Sequence, residues 1–241
     1  MTEYAAEVRQ DVLIMGNGTS AGGTLGRVRI NGDGRIYGSS DCMTFRCNGT
    51  AVVEGSMRSM NAKVNGQLSV DEHFEAEQLK VNGGMKVGGG SRMGQTHING
   101  DLSVGHSLSA VKMTINGTVQ VGDEIGVEVL LVRGRLHAGG ILYGRDINIK
   151  LFGDFSRVSS ITGQVISVST SRLARMIGSP RVASLRTEHI EGDEIFLENT
   201  QADTIRGRTV IIGRGCVIGQ VIYSDQLKID KDAEIINIER Y

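Results

Sequence analysis

Gly32, Gly49, Gly66, Gly83, Gly100, Gly117 and Gly134 stand 17 residues apart, and the first six each follow an asparagine. Arg133 replaces asparagine at the seventh. A period held without insertion across six intervals is the signature of a solenoid, in which each repeat is one turn of a coil stacked on its neighbours.

Taking each repeat glycine as phase zero, the apolar residues fall into columns. Two positions before it stand Ile30, Cys47, Val64, Val81, Ile98, Ile115 and Val132, and four after it Ile36, Val53, Val70, Val87, Val104, Val121 and Ala138. Inward candidates pair at phases +2/+4, +8/+10 and −4/−2, each pair two residues apart. Period-two alternation describes a short β-strand with one buried face. Three such strands per repeat predict an all-β fold, a parallel β-helix of about 17 residues per triangular coil. Asn-Gly forms one corner, both residue types tolerating positive φ, and Gly38, Gly55, Gly89 and Gly140 help to form a second. Asparagines stacked at the first corner are placed to form an amide ladder.

The pattern divides the chain into a short tail, 1–10, and a single β-helix domain, 11–241. Regular coils occupy 11–150. An irregular segment, 151–182, carries a basic run (Arg172, Arg175, Arg181) and the only proline, Pro180. A loop or short helix is expected around 171–177. Closing coils follow over 183–241, where Ile195, Ile212 and Ile229 are again 17 apart, as are Val210 and Leu227, and Ile218 and Ile235.

Collagen is excluded, since the glycines do not fall every third residue. A net charge of −1 gives no overall field to steer the molecule to nucleic acid or membrane. Three cysteines, an odd number, do not read as a secreted disulfide framework. Met1–Gln10 lacks the apolar core of a signal peptide, and no run approaches the length of a membrane span. The expectation is a cytoplasmic protein, with the sequons at Asn17, Asn48 and Asn116 being by-products of Asn-Gly corners.

Motifs of chemistry are weak. Gly18-Thr19-Ser20-Ala21-Gly22 fits the nucleophile-elbow pattern, but no helix is predicted after it, so it reads as a turn. The Gly-x-Gly groupings at Gly32/Gly34 and Gly213/Gly215 open no helix, and no phosphate-loop motif exists, which argues against nucleotide binding. The five histidines lack metal-ligand spacing. Cys42, Cys47 and Cys216 read as buried thiols. Carbohydrate-processing β-helices use aromatic platforms and clustered carboxylates, whereas this chain has no Trp. Hexapeptide acyltransferases step in sixes, which a 17-residue period contradicts. The expectation is a non-enzyme without cofactor or metal; the alternative is a monomeric β-helix enzyme or binding module.

One outward column is basic: Arg29, Arg46, Lys63, Lys80 and His97, with Arg27 and Lys112 in the neighbouring outward column. Besides a solvated face, this stripe suits anionic lipid headgroups, an acidic protein or, less well, nucleic acid. Glu188, Glu191, Asp193, Glu194, Glu198 and Asp203 offer an acidic counterpart within the chain, through which rods would associate laterally. A rod of coils also ends in open sheet edges, which recruit another chain unless capped. Candidate junction residues are Val12 and Ile14 at one end and Leu227, Ile229, Ile235 and Ile236 at the other.

The glycine-marked coils, such as VRINGDGRIYGSSDCMTFRCNGTAVVEGS, resemble bactofilins, polymer-forming cytoskeletal proteins of bacteria, and the closing segment ADTIRGRTVIIGRGCVIGQVIYSDQLKIDKDAEI looks like the ending of longer, Bacillus-type members. The resemblance covers nearly all of the chain, and its motifs are repetitive rather than catalytic. It implies a right-handed β-helix and nucleotide-independent end-to-end polymerisation, alone or with a paralogous bactofilin. It further implies a scaffold at the inner face of the cell membrane, serving cell shape, envelope assembly or motility. The chain departs from the usual member in its scant tails, its larger coil count and its basic insert. It also shows no evident amino-terminal membrane-targeting segment, so a partner is expected to bring it to the membrane.

Overall fold

A computed structural model describes residues 9–170 and 183–241. The described residues form a parallel β-helix without any α-helix, and one continuous sheet path joins all of its strands but a two-residue one. The first strand, β1 (Gln10–Glu54), winds through more than two coils. β2 (Met57–Val70), β3 (Phe74–Val87), β4 (Ser91–Val104), β5 (Leu108–Val121) and β6 (Ile125–Ala138) begin 17 residues apart. Each has 14 residues and bends through corners without losing its pairing. Three-residue corners such as 71–73 and 88–90 complete each coil and stay in the ladder, with the Gly88 amide donating to Val70 O (2.9 Å) and that of Gly105 to Val87 O (2.9 Å).

All six predicted columns point inward. From Cys47, the column two before the glycine runs through Val64, Val81, Ile98, Ile115, Val132, Ile149, Val168, Leu197 and Ile212 to Ile229 in unbroken register. All but Ile229 are buried. Like residues stack on like, so each side chain meets its counterparts above and below, and no polar backbone group is left inside. Each fully buried aliphatic contributes on the order of 1.5–3 kcal/mol, and the wall is continuous along the rod.

The first corner is built differently from the sequence expectation. The repeat glycines hold φ between +125° and +149°, but the asparagines before them do not adopt positive φ. Asparagine is there for the ladder. Asn48 Nδ2 donates to Asn31 Oδ1 (2.8 Å), Asn65 to Asn48 (2.8 Å), Asn82 to Asn65 (2.9 Å), Asn99 to Asn82 (3.0 Å) and Asn116 to Asn99 (2.9 Å). Arg133 closes one end on Asn116 Oδ1 (3.3 Å), which explains why an arginine keeps the beat there. At the other end, Asn31 reaches Met15 Sδ (3.1 Å). Asn82→Ala removes two linked bonds at once and is expected to cost about 1–3 kcal/mol, read as a lower urea midpoint at unchanged slope. At the second corner only Gly38 and Gly55 take positive φ; Gly89 and Gly140 do not, the bend there being spread over three residues.

The described part of the segment 151–182, residues 151–170, is more regular than its sequence suggests. β7 (Ile141–Leu151), β8 (Ser156–Arg157) and β9 (Ser160–Thr170) continue the stack, β8 bridging His137 below and Arg186 above. Five residues separate Val132 from His137, whereas eight separate their partners Ile149 and Arg157. The three extra residues bulge out at 152–155 and expose Phe152 and Phe155. The basic run, Pro180 and the loop or helix expected around 171–177 lie outside the described residues.

In the closing coils β10 (Leu185–Leu197), β11 (Thr200–Ile212), β12 (Val217–Ile229) and β13 (Glu234–Arg240), the period changes. Leu185 pairs with Thr200, 15 residues on, and Ile195 pairs with Val210, not with Ile212. The 17-residue spacing of Ile195 and Ile212 is therefore coincidental, while that of Ile212 and Ile229 is structural. The coil loses one residue at each of two corners: two residues stand between Leu197 and Thr200 where three stand between Val132 and Leu136, and two between Thr187 and Ile190 where three stand between Val121 and Ile125. At the first of these corners Asn199 has φ 47°, alone among described non-glycine residues. Asparagine tolerates this conformation, and its side chain is held by Thr170 Oγ1.

Candidate functional site

Two surfaces stand out: a charged rail along one sheet and an uncovered rung at the carboxyl end. The rail follows from register. Arg46, Lys63, Lys80 and His97 are direct partners in successive strands, with Arg29 one coil earlier in β1. They flank a groove of about 950 Å3. Its floor is the buried column Val28, Phe45, Ala62 and Leu79, and its opposite wall is the outward column of Thr44, Asn61, Gln78 and Gln95. Val12 and Leu13 close its lower end.

Some charges elsewhere on the rod are matched between coils. Arg58 faces Glu75 (3.8 Å), His106 faces Asp123 (3.2 Å), Arg208 faces Asp225 (3.1 Å), and Arg35 pairs with Glu54. Among the described residues, Arg29, Arg46, Lys63 and Lys80 form no ion pair. Like charges in direct register repel, so the rail retains unspent positive potential. Arg27 does not share it. Asp11 takes its backbone amide (2.7 Å) and its guanidinium (3.1 Å), and these contacts, the amide first, hold the Asp11 carboxyl below its usual range. Lys112 lies beyond Gln95 in the opposite wall and outside the groove.

The predicted acidic counterpart is not one patch. Glu194 belongs to the same outward column as Lys112, linked through Val129, Asp146 and Val165. Glu188 and Asp203 line a different face, near His137 and Phe155. Glu198 accepts the Thr170 amide (2.9 Å).

Among the described residues, β13 is the last strand of the stack. Ile229 lies in the inward column yet is 45% exposed, because no further coil covers it. Leu227, Ala233 and Ile235 are half-buried against the last core layer. Ile238, partner of the buried Val221, completes this rung and is 48% exposed. Its spacing of 17 from Val221 was the available signal, obscured by the neighbouring pair Ile235-Ile236. Ile236 points outward and is 88% exposed. At the amino end Ile14 is buried and Val12 partly so, whereas the outward Leu13 and Met15 are exposed.

The remaining motifs gather no chemistry. Ser20 lies within β1 and donates to the Ala21 carbonyl (3.1 Å), so the elbow's strand-to-helix context is absent. Among the described residues, no group of His, Cys, Asp and Glu could hold a metal ion. Cys42, Cys47 and Cys216 are free and buried. Burial pushes the Cys47 and Cys216 thiols up to about 11 and raises that of Cys42. At pH 8 a thiol of that pKa is ~0.1% thiolate, and only the thiolate reacts. A chromogenic disulfide reagent is expected to titrate none of the three in the folded protein within minutes and all three in denaturant.

No protein-family model matches the chain, and no solved structure matches it. Two curated proteins of Bacillus subtilis (strain 168) do. The uncharacterized protein YhbF is 38% identical over 96 residues, 40% of each chain. The uncharacterized protein YhbE is 36% identical over 100 residues, 40% of this chain and 41% of its own length. The matches thus span about two fifths of these relatives.

Proposed function

We propose that this protein is a structural element that assembles end to end into filaments, without nucleotide, and serves as a scaffold rather than as an enzyme. The uncovered last rung carries this reading. Ile229, Ile235 and Ile238 are core residues with no layer above them, and the backbone edge of β13 is open. Another rod docked on that edge extends the ladder and buries the apolar layer by the same interactions that stack the coils. The resemblance to bactofilins supports the same reading and suggests a place at the inner face of the cell membrane. Electron microscopy of the purified protein at physiological salt tests it: filaments in the absence of nucleotide are expected. A particle that stays monomeric at every concentration would overturn it.

A further inference from the structure

We infer that Asn17-Gly18 is a self-modifying site, where the asparagine loses its side-chain amide with age, and that the asparagine ladder restrains the same reaction at the other Asn-Gly pairs. This goes beyond the filament reading and does not depend on it, since the chemistry belongs to a single rod.

The chain holds seven Asn-Gly pairs. Six are the corners at Asn31, Asn48, Asn65, Asn82, Asn99 and Asn116. Asn17-Gly18 looks like one more corner and is not. Met15-Gly16 fills that place, for Asn31 donates to Met15 Sδ and the Gly16 carbonyl lies beneath Gly32. Asn17-Gly18 stands instead where Asp33-Gly34 stands one coil later. Gly18, like Gly34, packs on the isoleucine four residues before it, and a Cβ there would meet Ile14 Cγ2 at 2.9 Å. Packing thus imposes a glycine directly after an asparagine, outside the ladder.

Such a pair reacts with water alone. The Gly18 peptide nitrogen, once solvent base has taken its proton, attacks Asn17 Cγ. The Cγ–Nδ2 bond breaks, and Nδ2 takes up a proton from water and leaves as ammonia. Water then opens the five-membered succinimide at one of its two carbonyls. Opening at Cγ leaves aspartate, and opening at the main-chain carbonyl leaves isoaspartate, with the backbone routed through Cγ. The net exchange is water for ammonia, without oxidant or reductant. Glycine has no Cβ to obstruct the ring closure.

Hydrogen bonding separates Asn17 from the ladder. Its side chain is exposed and forms no hydrogen bond among the described residues. Asn99 and Asn116 are exposed too, so access to water is not the difference. Asn48, Asn65, Asn82 and Asn99 each donate to the coil below and accept from the coil above. Asn116 does the same, with Arg133 as its donor. Turning any of these Cγ atoms towards the next peptide nitrogen breaks both bonds. Asn31 ranks between, because its Nδ2 meets only a thioether sulfur, a weak acceptor. The product changes the first described coil. A carboxylate at 17 stands in the column of Asp33, where like charges repel, and isoaspartate adds a backbone atom to β1.

The test is incubation of the folded full chain at mildly alkaline pH in water enriched in heavy oxygen, read by peptide mass spectrometry and by isoaspartyl methyltransferase labelling. Asn17 is expected to become an acid carrying one heavy oxygen, partly as isoaspartate, at a rate that rises with pH. Asn31 should follow more slowly, and the interior ladder roughly thirtyfold more slowly than Asn17, as two net hydrogen bonds require. In urea all seven pairs should react at similar rates. Asn17→Gln, which would need a six-membered ring, should leave position 17 unmodified in the folded chain. Asn82→Ala, in buffer where it stays folded, removes one bond each from Asn65 and Asn99 and should quicken both about fivefold. An Asn17 amide that persists in the folded chain while the urea-unfolded chain reacts overturns the proposal. So does reaction of the interior ladder at the Asn17 rate. An equal lead of Asn17 in urea, or unchanged rates at Asn65 and Asn99 in folded Asn82→Ala, overturns the restraining role of the ladder.

Discussion

Gly100→Ala is expected to abolish the folded state or to lower its unfolding midpoint severely. Gly100 has φ +135°, a conformation that strains any L-residue. A Cβ placed there would lie inside the van der Waals envelope of the Gly83 carbonyl oxygen directly below. That oxygen is backbone in a neighbouring coil and cannot rotate aside. The strain alone is about 1–3 kcal/mol, and relieving the clash means parting two coils along their shared ladder. Against a typical stability of ~5–15 kcal/mol, the combined loss is large. Gly90→Ala is the control. Gly90 lies in the other corner, without positive φ, and a methyl there meets nothing nearer than Ser107 O at 3.2 Å. Its midpoint should move little. Equal behaviour of the two variants in urea unfolding would show that close coil approach at the Asn-Gly corner is not what requires glycine.

Arginine at the uncovered rung is the second large effect. Ile229→Arg or Ile238→Arg places a charge where docking would bury it. A buried, unpaired charge costs several kcal/mol, so association should weaken by a thousandfold or more. Sedimentation should then show a monomer near 25.9 kDa with an unchanged β-sheet circular dichroism spectrum. The positions are informative because they are already half-exposed, so the variant chain still folds. Ile14→Arg would be a poorer test, since Ile14 is buried within its own rod and its loss confounds folding with assembly. Ile236→Arg is the internal comparison: the side chain points outward, and filaments should persist. If Ile229→Arg and Ile238→Arg polymerise like the unmodified protein, the carboxyl-terminal rung is not the junction.

Much of this was legible before any coordinates. The coil period, the three inward pairs per coil and the asparagine ladder all came from one phase alignment, because a stacked coil repeats its environment at every turn. The buried cysteines followed from the same columns. Legibility failed where coil length changed. Ile195 and Ile212 keep the 17-residue beat but sit in different columns, because the corners at Glu198-Asn199 and Asp203-Thr204 each use one residue fewer than those of the regular coils. Periodicity counts residues, whereas register counts hydrogen bonds, and the two part company once a corner shortens. The break of phase at about Leu151 was legible in the chain, but not that three extra residues bulge out there while the ladder continues.

The candidate surfaces were half legible. The basic column could be read from spacing, but its isolation could not. That Asp11 pairs with Arg27, that Glu188 and Asp203 lie on a different face from Glu194, and that neutral amides wall the rail depend on which columns adjoin across corners. At the carboxyl end, Ile235 and Ile236 look alike in the chain, yet one faces the core and the other solvent.

The repeated glycines and apolar columns by themselves determined that this chain coils, which side chains turn inward and where the asparagines stack. Each of these follows from local periods that every turn reproduces. Only the tertiary structure decided where the register shifts, which cations stay without counter-charge and which core residues the last turn leaves bare. Those are properties of neighbours brought together by stacking, and no stretch of chain specifies its neighbour across the sheet until the corners between them have been counted.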